Sequence, residues 1–148
     1  MVENNKKCEN LSIDEDLYSR QIISFGMETM EKISKLKILI IGLRGLGIEI
    51  AKDIIISGPK QVTIFDPNKV RLQDLGSNFY LNEKDIGRRR DESCISNLQK
   101  LNKYVQIEYL KEISDINDID KISDVLINNF NVLIITEIIS KKKYILFR

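Results

Sequence analysis

The stretch that most constrains the fold is Lys37–Asp66, KILIIGLRGLGIEIAKDIIISGPKQVTIFD. Ile38–Ile41 is short, apolar and mostly β-branched, which suits a parallel strand covered on both faces. Gly42, Gly45 and Gly47 mark a turn. From Leu46 to Ile55, Glu49, Lys52 and Asp53 fall three or four apart, and the pattern predicts a helix with Leu46, Ile50, Ala51 and Ile54 on the opposite, inward face. Gly58 and Pro59 stop that helix. Val62–Phe65 is a second apolar run, and Asp66 closes it near the spacing of about 20 residues at which an acid after the second strand reaches a ribose hydroxyl. The pattern is a βαβ nucleotide fold.

The turn departs from the dinucleotide fingerprint. G-x-G-x-x-G keeps its second position bare so that backbone N–H groups reach a pyrophosphate at the helix N-terminus. Here the turn reads G-L-R-G-L-G, and Arg44 fills that slot. Its stem takes the space of a phosphate, so a filled cradle is expected, while a guanidinium that attracts phosphate is the alternative.

The remaining elements follow by periodicity. Residues 1–11 are polar and aperiodic, a disordered lead-in that includes Cys8, and 12–148 form one domain. Ser12 and Glu15 form a capping box that predicts a helix to about Phe25, with Leu17, Ile22 and Phe25 packing inward and Arg20 in solvent. Met27–Ser34 is a second helical piece with Met27, Met30 and Ile33 inward. Pro67–Lys84 is long and irregular, placed where such folds bind ligands, with Phe79 and Tyr80 pinning it. Gly87–Asn102 is helical with Cys94, Leu98 and Leu101 on one face, so Cys94 is a packing residue rather than a nucleophile. The run Arg88-Arg89-Arg90 is expected on a solvated face. Val105, Ile107 and Tyr109 predict a third strand, Ile119–Asn128 a helix, and Val132–Ile135 a fourth strand ending at Thr136-Glu137. Ser140–Arg148 begins something unfinished, which predicts a sheet incomplete at its C-terminal end and a longer native protein. The expected fold is an α/β, Rossmann-like three-layer sandwich with a mainly parallel sheet, preceded by N-terminal helices.

Composition removes several chemistries. The chain has no histidine, so serine or cysteine catalysis through imidazole, and imidazole metal sites, are out. Lys plus Arg number 23 against 22 for Asp plus Glu, a balance that gives no basic surface for nucleic acid or an anionic membrane. The apolar runs are too short to span a bilayer, and two cysteines make no disulfide framework.

Four motifs in order carry a resemblance: LYSRQ at Leu17–Gln21, GLRGLGIEIAKDIIISG at Gly42–Gly58, the strand end Phe65-Asp66, and NFYLNEKDIGRRRDE at Asn78–Glu92. From about residue 14 to about 140 the chain resembles the N-terminal, so-called inactive adenylation half of eukaryotic ubiquitin-activating enzymes, within the ThiF/MoeB-like superfamily. The small subunits of SUMO- and NEDD8-activating heterodimers share part of the pattern. The resemblance implies two similar adenylation domains face to face, one with a working ATP site. Matched to that site's motifs, Asp66 is the retained ribose-type acid, Arg90 stands where a lysine would be, and Arg44 replaces the middle glycine between Gly42, Gly45 and Gly47. Asp74 stands for an asparagine, Ser77 for an arginine, Asn78 for a glutamine, Glu137 keeps the metal-side acid and Ile138 replaces its amide neighbour.

The resemblance therefore implies a vestigial site with no nucleotide or metal of its own, ATP and Mg being held by the partner domain. Asp74 adds a carboxylate beside any triphosphate, a penalty of about 1–4 kcal/mol at intermediate dielectric. It further implies that Arg20 reaches in trans into the partner's ATP site, that ubiquitin or a ubiquitin-like protein and conjugating enzymes are partners, and that the thioester cysteine lies in a later domain, not at Cys94. Cytoplasmic and nuclear location, no nucleic-acid or membrane partner, and self-association of the fragment through exposed apolar surface complete the expectation. Two other classes compete: an NAD-dependent oxidoreductase, favoured by Asp66 and opposed by Arg44, and a homodimeric adenylyltransferase of bacterial type.

Overall fold

The computed structural model describes residues 13–111, 113 and 129–137. The expectations for the lead-in with Cys8 and Ser12, the helix at Ile119–Asn128, Ile138 and the segment Ser140–Arg148 lie outside the described residues.

The described elements run α1 (Ser19–Phe25), α2 (Met27–Ile33), β1 (Lys37–Ile41), α3 (Gly45–Ser57), β2 (Gln61–Phe65), α4 (Arg90–Leu98), β3 (Gln106–Tyr109) and β4 (Val132–Ile135). All strand pairs are parallel, in the order β3-β2-β1-β4, with Ile38 opposite both Val62 and Val132. This is an α/β Rossmann-like sheet, as the apolar runs predicted. Ile38, Ile40, Val62, Ile64 and Ile107 pack with α3 and α4 through Ile48, Ala51, Ile55, Cys94 and Leu98. Leu39, Ile41 and Phe65 point to the other face, with Leu110, Phe130, Leu133 and Ile135 against them. The alternation along β1 buries both faces, as a central parallel strand requires.

Several local expectations are corrected. The first helix begins at Ser19, because the Asp14 carboxylate accepts the Leu17 N–H at 3.0 Å and closes a turn before it. Tyr18, not Leu17 or Phe25, is the inward residue: Tyr18 is buried whereas Leu17 and Phe25 are exposed. In α3 the inward face is Gly47, Ile48, Ala51 and Ile55, and Leu46 is exposed. The three glycines hid this phase, because Gly47 carries the closest helix contact without an apolar side chain to mark it. Gly47 sits where an added Cβ would lie 2.0 Å from the Gly42 carbonyl oxygen, so only glycine lets α3 approach the end of β1.

Pro67–Lys84 is less irregular than expected, with 3-10 turns at Leu72–Gly76 and Glu83–Asp85. Phe79 does not pin it: its ring is 91% exposed. The segment is held instead by buried Val70, Asn78 and Leu81, and by backbone bonds that pair 68–70 with 87–90. The arginine run is not a solvated face either. Arg90 is 1% exposed and Arg89 half-buried, leaving only Arg88 in solvent. Carboxylates brought from three other positions take the two inner arginines out of water.

Candidate functional site

The C-terminal end of the sheet gathers Gly42, Arg44, Gly45, Gly47, Asp66, Arg90 and Glu137. The Gly42 N–H donates to the Phe65 carbonyl at 2.9 Å, joining the ends of β1 and β2. The Thr136 hydroxyl, just past β4, donates to the Gly42 and Ile41 carbonyls at 2.8 and 3.1 Å. Gly45 lies against Ser77. Arg44 is the residue before α3, extended, with no side chain capping the helix. Its half-exposed guanidinium turns toward Glu137, Nε to Oε2 3.5 Å.

Beneath the turn is a buried chain of charges. Asp66 has no exposed surface. Its Oδ2 accepts the Leu43 N–H at 2.8 Å and an Arg90 Nη1–H, while its Oδ1 accepts the N–H and the side-chain amide of Asn68 at 3.2 and 3.1 Å. A carboxylate has about four lone-pair sites. All are taken. The other arm of Arg90 donates to Asp74 Oδ2 at 2.9 Å, and the same oxygen takes the Arg71 N–H at 2.8 Å. Burial alone would lower the Arg90 pKa, but Asp74 and Asp66 raise it above its ordinary value. Burial would likewise raise Asp74, but the Arg71 N–H and Arg90 hold it below the usual carboxylate range. The carboxylate that sequence alone places free beside a triphosphate is thus neutralised by Arg90, and its repulsion is corrected to that of a paired group.

The chain continues through Asp91, absent from the sequence-based candidates. Asp91 accepts the Asp66 N–H at 3.1 Å and a two-pronged pair from Arg89 at 3.0 and 2.8 Å. Arg89 then donates to the carbonyls of Ile113 and Leu110 at 3.0 and 3.2 Å, past the end of β3. Two adjacent arginines therefore tie four segments to the nucleotide-type turn. The only hint in sequence was an acid directly after the basic run, which is too common to single out. Asn78 is buried and donates to the Leu43 carbonyl at 3.2 Å and toward the Cys94 sulfur at 3.4 Å. Burial pushes the Cys94 thiol up to about 12, consistent with a packing role.

A ribose held in the dinucleotide manner needs an acceptor on the acid after β2, and Asp66 has none to give. As placed, these residues do not fit a nucleotide bound that way. Among the described residues no group of three His, Cys, Asp or Glu is arranged to hold a metal ion. Arg20 is not part of this cluster. It is exposed on α1, and its guanidinium has no partner among the described residues.

A parallel sheet in this order with a glycine turn after its first strand defines a nucleotide-type α/β domain. A model of the ThiF family matches residues 18–136, and the chain belongs to that family. It is 39% identical to "Ubiquitin-activating enzyme E1 1" of Schizosaccharomyces pombe over 90% of its length, and 46% identical to "Ubiquitin-like modifier-activating enzyme 1" of Homo sapiens over 69%. It spans only 12% and 10% of those relatives. Among solved structures it superposes with a TM-score of 0.75 on the E. coli tRNA N6-threonylcarbamoyladenosine dehydratase TcdA in complex with ATP, at 14% identity, covering 89% of this chain and 53% of that one. That likeness is one of fold.

Proposed function

We propose that this chain is the non-catalytic adenylation half of a ubiquitin-activating enzyme, which adenylates the C-terminus of ubiquitin or a ubiquitin-like protein with ATP and passes it to a cysteine. It scaffolds the active half, which holds ATP and Mg, and lends Arg20 to that half's ATP site; conjugating enzymes are served by other domains of the enzyme, in cytoplasm and nucleus. The observation that carries this is the saturation of Asp66 by four internal donors, which leaves the fold without the acceptor its own ligand would need. Arg20 adds to it, being exposed and having a guanidinium with no partner among the described residues. A permanently charged planar fork supplied from outside a site is suited to neutralising phosphoryl charge.

Isothermal calorimetry of ATP with the chain is expected to show no saturable heat, and micromolar binding would overturn the proposal. In the intact enzyme Arg20→Ala is expected to slow ubiquitin-dependent ATP–pyrophosphate exchange by about tenfold or more, as loss of an arginine in trans does.

A further inference from the structure

Helix α1 buries no residue, and α2 buries only Met30. The segment that carries Arg20 is instead fastened to the body through Tyr18, two positions before it. The Tyr18 side chain is 6% exposed, and its hydroxyl accepts an Asn102 Nδ2–H at 2.7 Å. That amide also donates to the Ile55 carbonyl in the last turn of α3 at 3.0 Å, and its oxygen accepts the Tyr104 N–H at 3.0 Å. The ring lies over Gly58, whose φ is +83°, and a Cβ there would stand 2.6 Å from the Tyr18 hydroxyl. A second tyrosine reaches the other way: the Tyr104 hydroxyl donates to Asp14 Oδ2 at 2.6 Å, while Asp14 Oδ1 holds the Leu17 N–H. Both bonds are donated by the 102–104 segment and accepted by the 14–18 segment, so the same two parts of the chain are joined twice.

We infer that Tyr18, seated on Gly58 and Asn102, is the positioning residue that sets where Arg20 stands relative to the sheet. This rests on the role proposed above for Arg20. The backbone makes the coupling short: the Ile22 N–H donates to the Tyr18 carbonyl at 2.9 Å, so the ring is anchored in the same turn that presents Arg20. Asn102 supplies the fixed end, since it is 5% exposed and spends both amide hydrogens on the joint. A side chain with an immobilised neighbour loses less freedom when it meets a ligand, so a fixed α1 gives Arg20 the geometry that an arginine acting in trans requires.

The test pairs amide hydrogen exchange on the chain with pyrophosphate exchange by the intact enzyme. Tyr18→Phe removes only the bond to Asn102 and keeps the ring on Gly58, and is expected to speed exchange of the Ser19–Phe25 amides about fivefold. Tyr18→Ala is expected to speed it by more than about tenfold while the β1 and β2 amides are unchanged. In the enzyme Tyr18→Ala should lower kcat with little change in the KM for ATP, and the Tyr18→Ala/Arg20→Ala double variant should be no slower than Arg20→Ala alone. Unchanged α1 exchange, or defects that multiply, would overturn the joint. An impaired Arg20→Ala with a fully active Tyr18→Ala would do the same. A fully active Arg20→Ala would instead overturn the role of the arginine on which the joint depends.

Discussion

Arg90 and Arg20 are the same side chain in opposite settings. Arg90 is 1% exposed and held between Asp66 and Asp74, while Arg20 stands in solvent on a helix that buries nothing. Around Arg90, donors and acceptors are nearly all consumed, and Arg90 Nε is the one buried side-chain polar atom without a partner among the described residues. The densest cluster of charge is therefore the part least able to receive a charged ligand. Buried charges must be compensated from within, and every internal partner is one fewer for a visitor. The N-terminal helices show the converse, with Ile23 and Phe25 exposed beside an Arg20 guanidinium that has no partner among the described residues.

Arg90→Ala leaves two buried carboxylates facing each other, and is expected to cost about 3–5 kcal/mol, read as a fall in the urea midpoint of unfolding. An unchanged midpoint would mean that water already reaches the cluster. Next in size is Gly47→Ala, where the added carbon meets the Gly42 carbonyl oxygen; about 1–3 kcal/mol is expected by the same measurement. A wild-type midpoint there would show that α3 moves away from β1 easily.

Asp74 and Asp14 both titrate below the ordinary 3.8, Asp14 chiefly through the Tyr104 hydroxyl. A carboxyl lowered in the folded state adds stability above its unfolded pKa and loses it as pH falls through the folded one. With no histidine in the chain, stability should be flat from about pH 5 to 8 and drop below about 4, followed by fluorescence or circular dichroism. A transition near neutrality would contradict this. Cys94, with its thiol pushed up to about 12, should resist iodoacetamide at pH 8 in the folded chain and react on unfolding. Smallest of all, Arg20→Ala should shift stability by less than about 0.5 kcal/mol, the range for surface changes without partners. A larger loss would place Arg20 in the fold rather than at its service.

Much of the sheet was legible because its signals are local. The apolar runs of β1, β2 and β4 carry their own burial, and a period of two or a continuous run needs no partner to be recognised. Asp66 and the glycine turn were found the same way. The misplaced phase of α3 and the exposed Phe79 show the limit: which side of an apolar residue faces inward depends on what it meets. The basic run is the sharpest case, since Arg88, Arg89 and Arg90 are identical in sequence and end with three different exposures.

The amino-acid order alone determined a parallel α/β sheet with an altered nucleotide turn, because strand runs, helix period and glycine spacing are properties of neighbours along the chain. Only the tertiary structure decided that Asp66 is filled from within, that Asp91 and Asn68 complete the cluster, and that Tyr18 rather than Leu17 holds the front helix. Those outcomes depend on groups far apart in sequence meeting at hydrogen-bond distance, and periodicity does not encode that meeting.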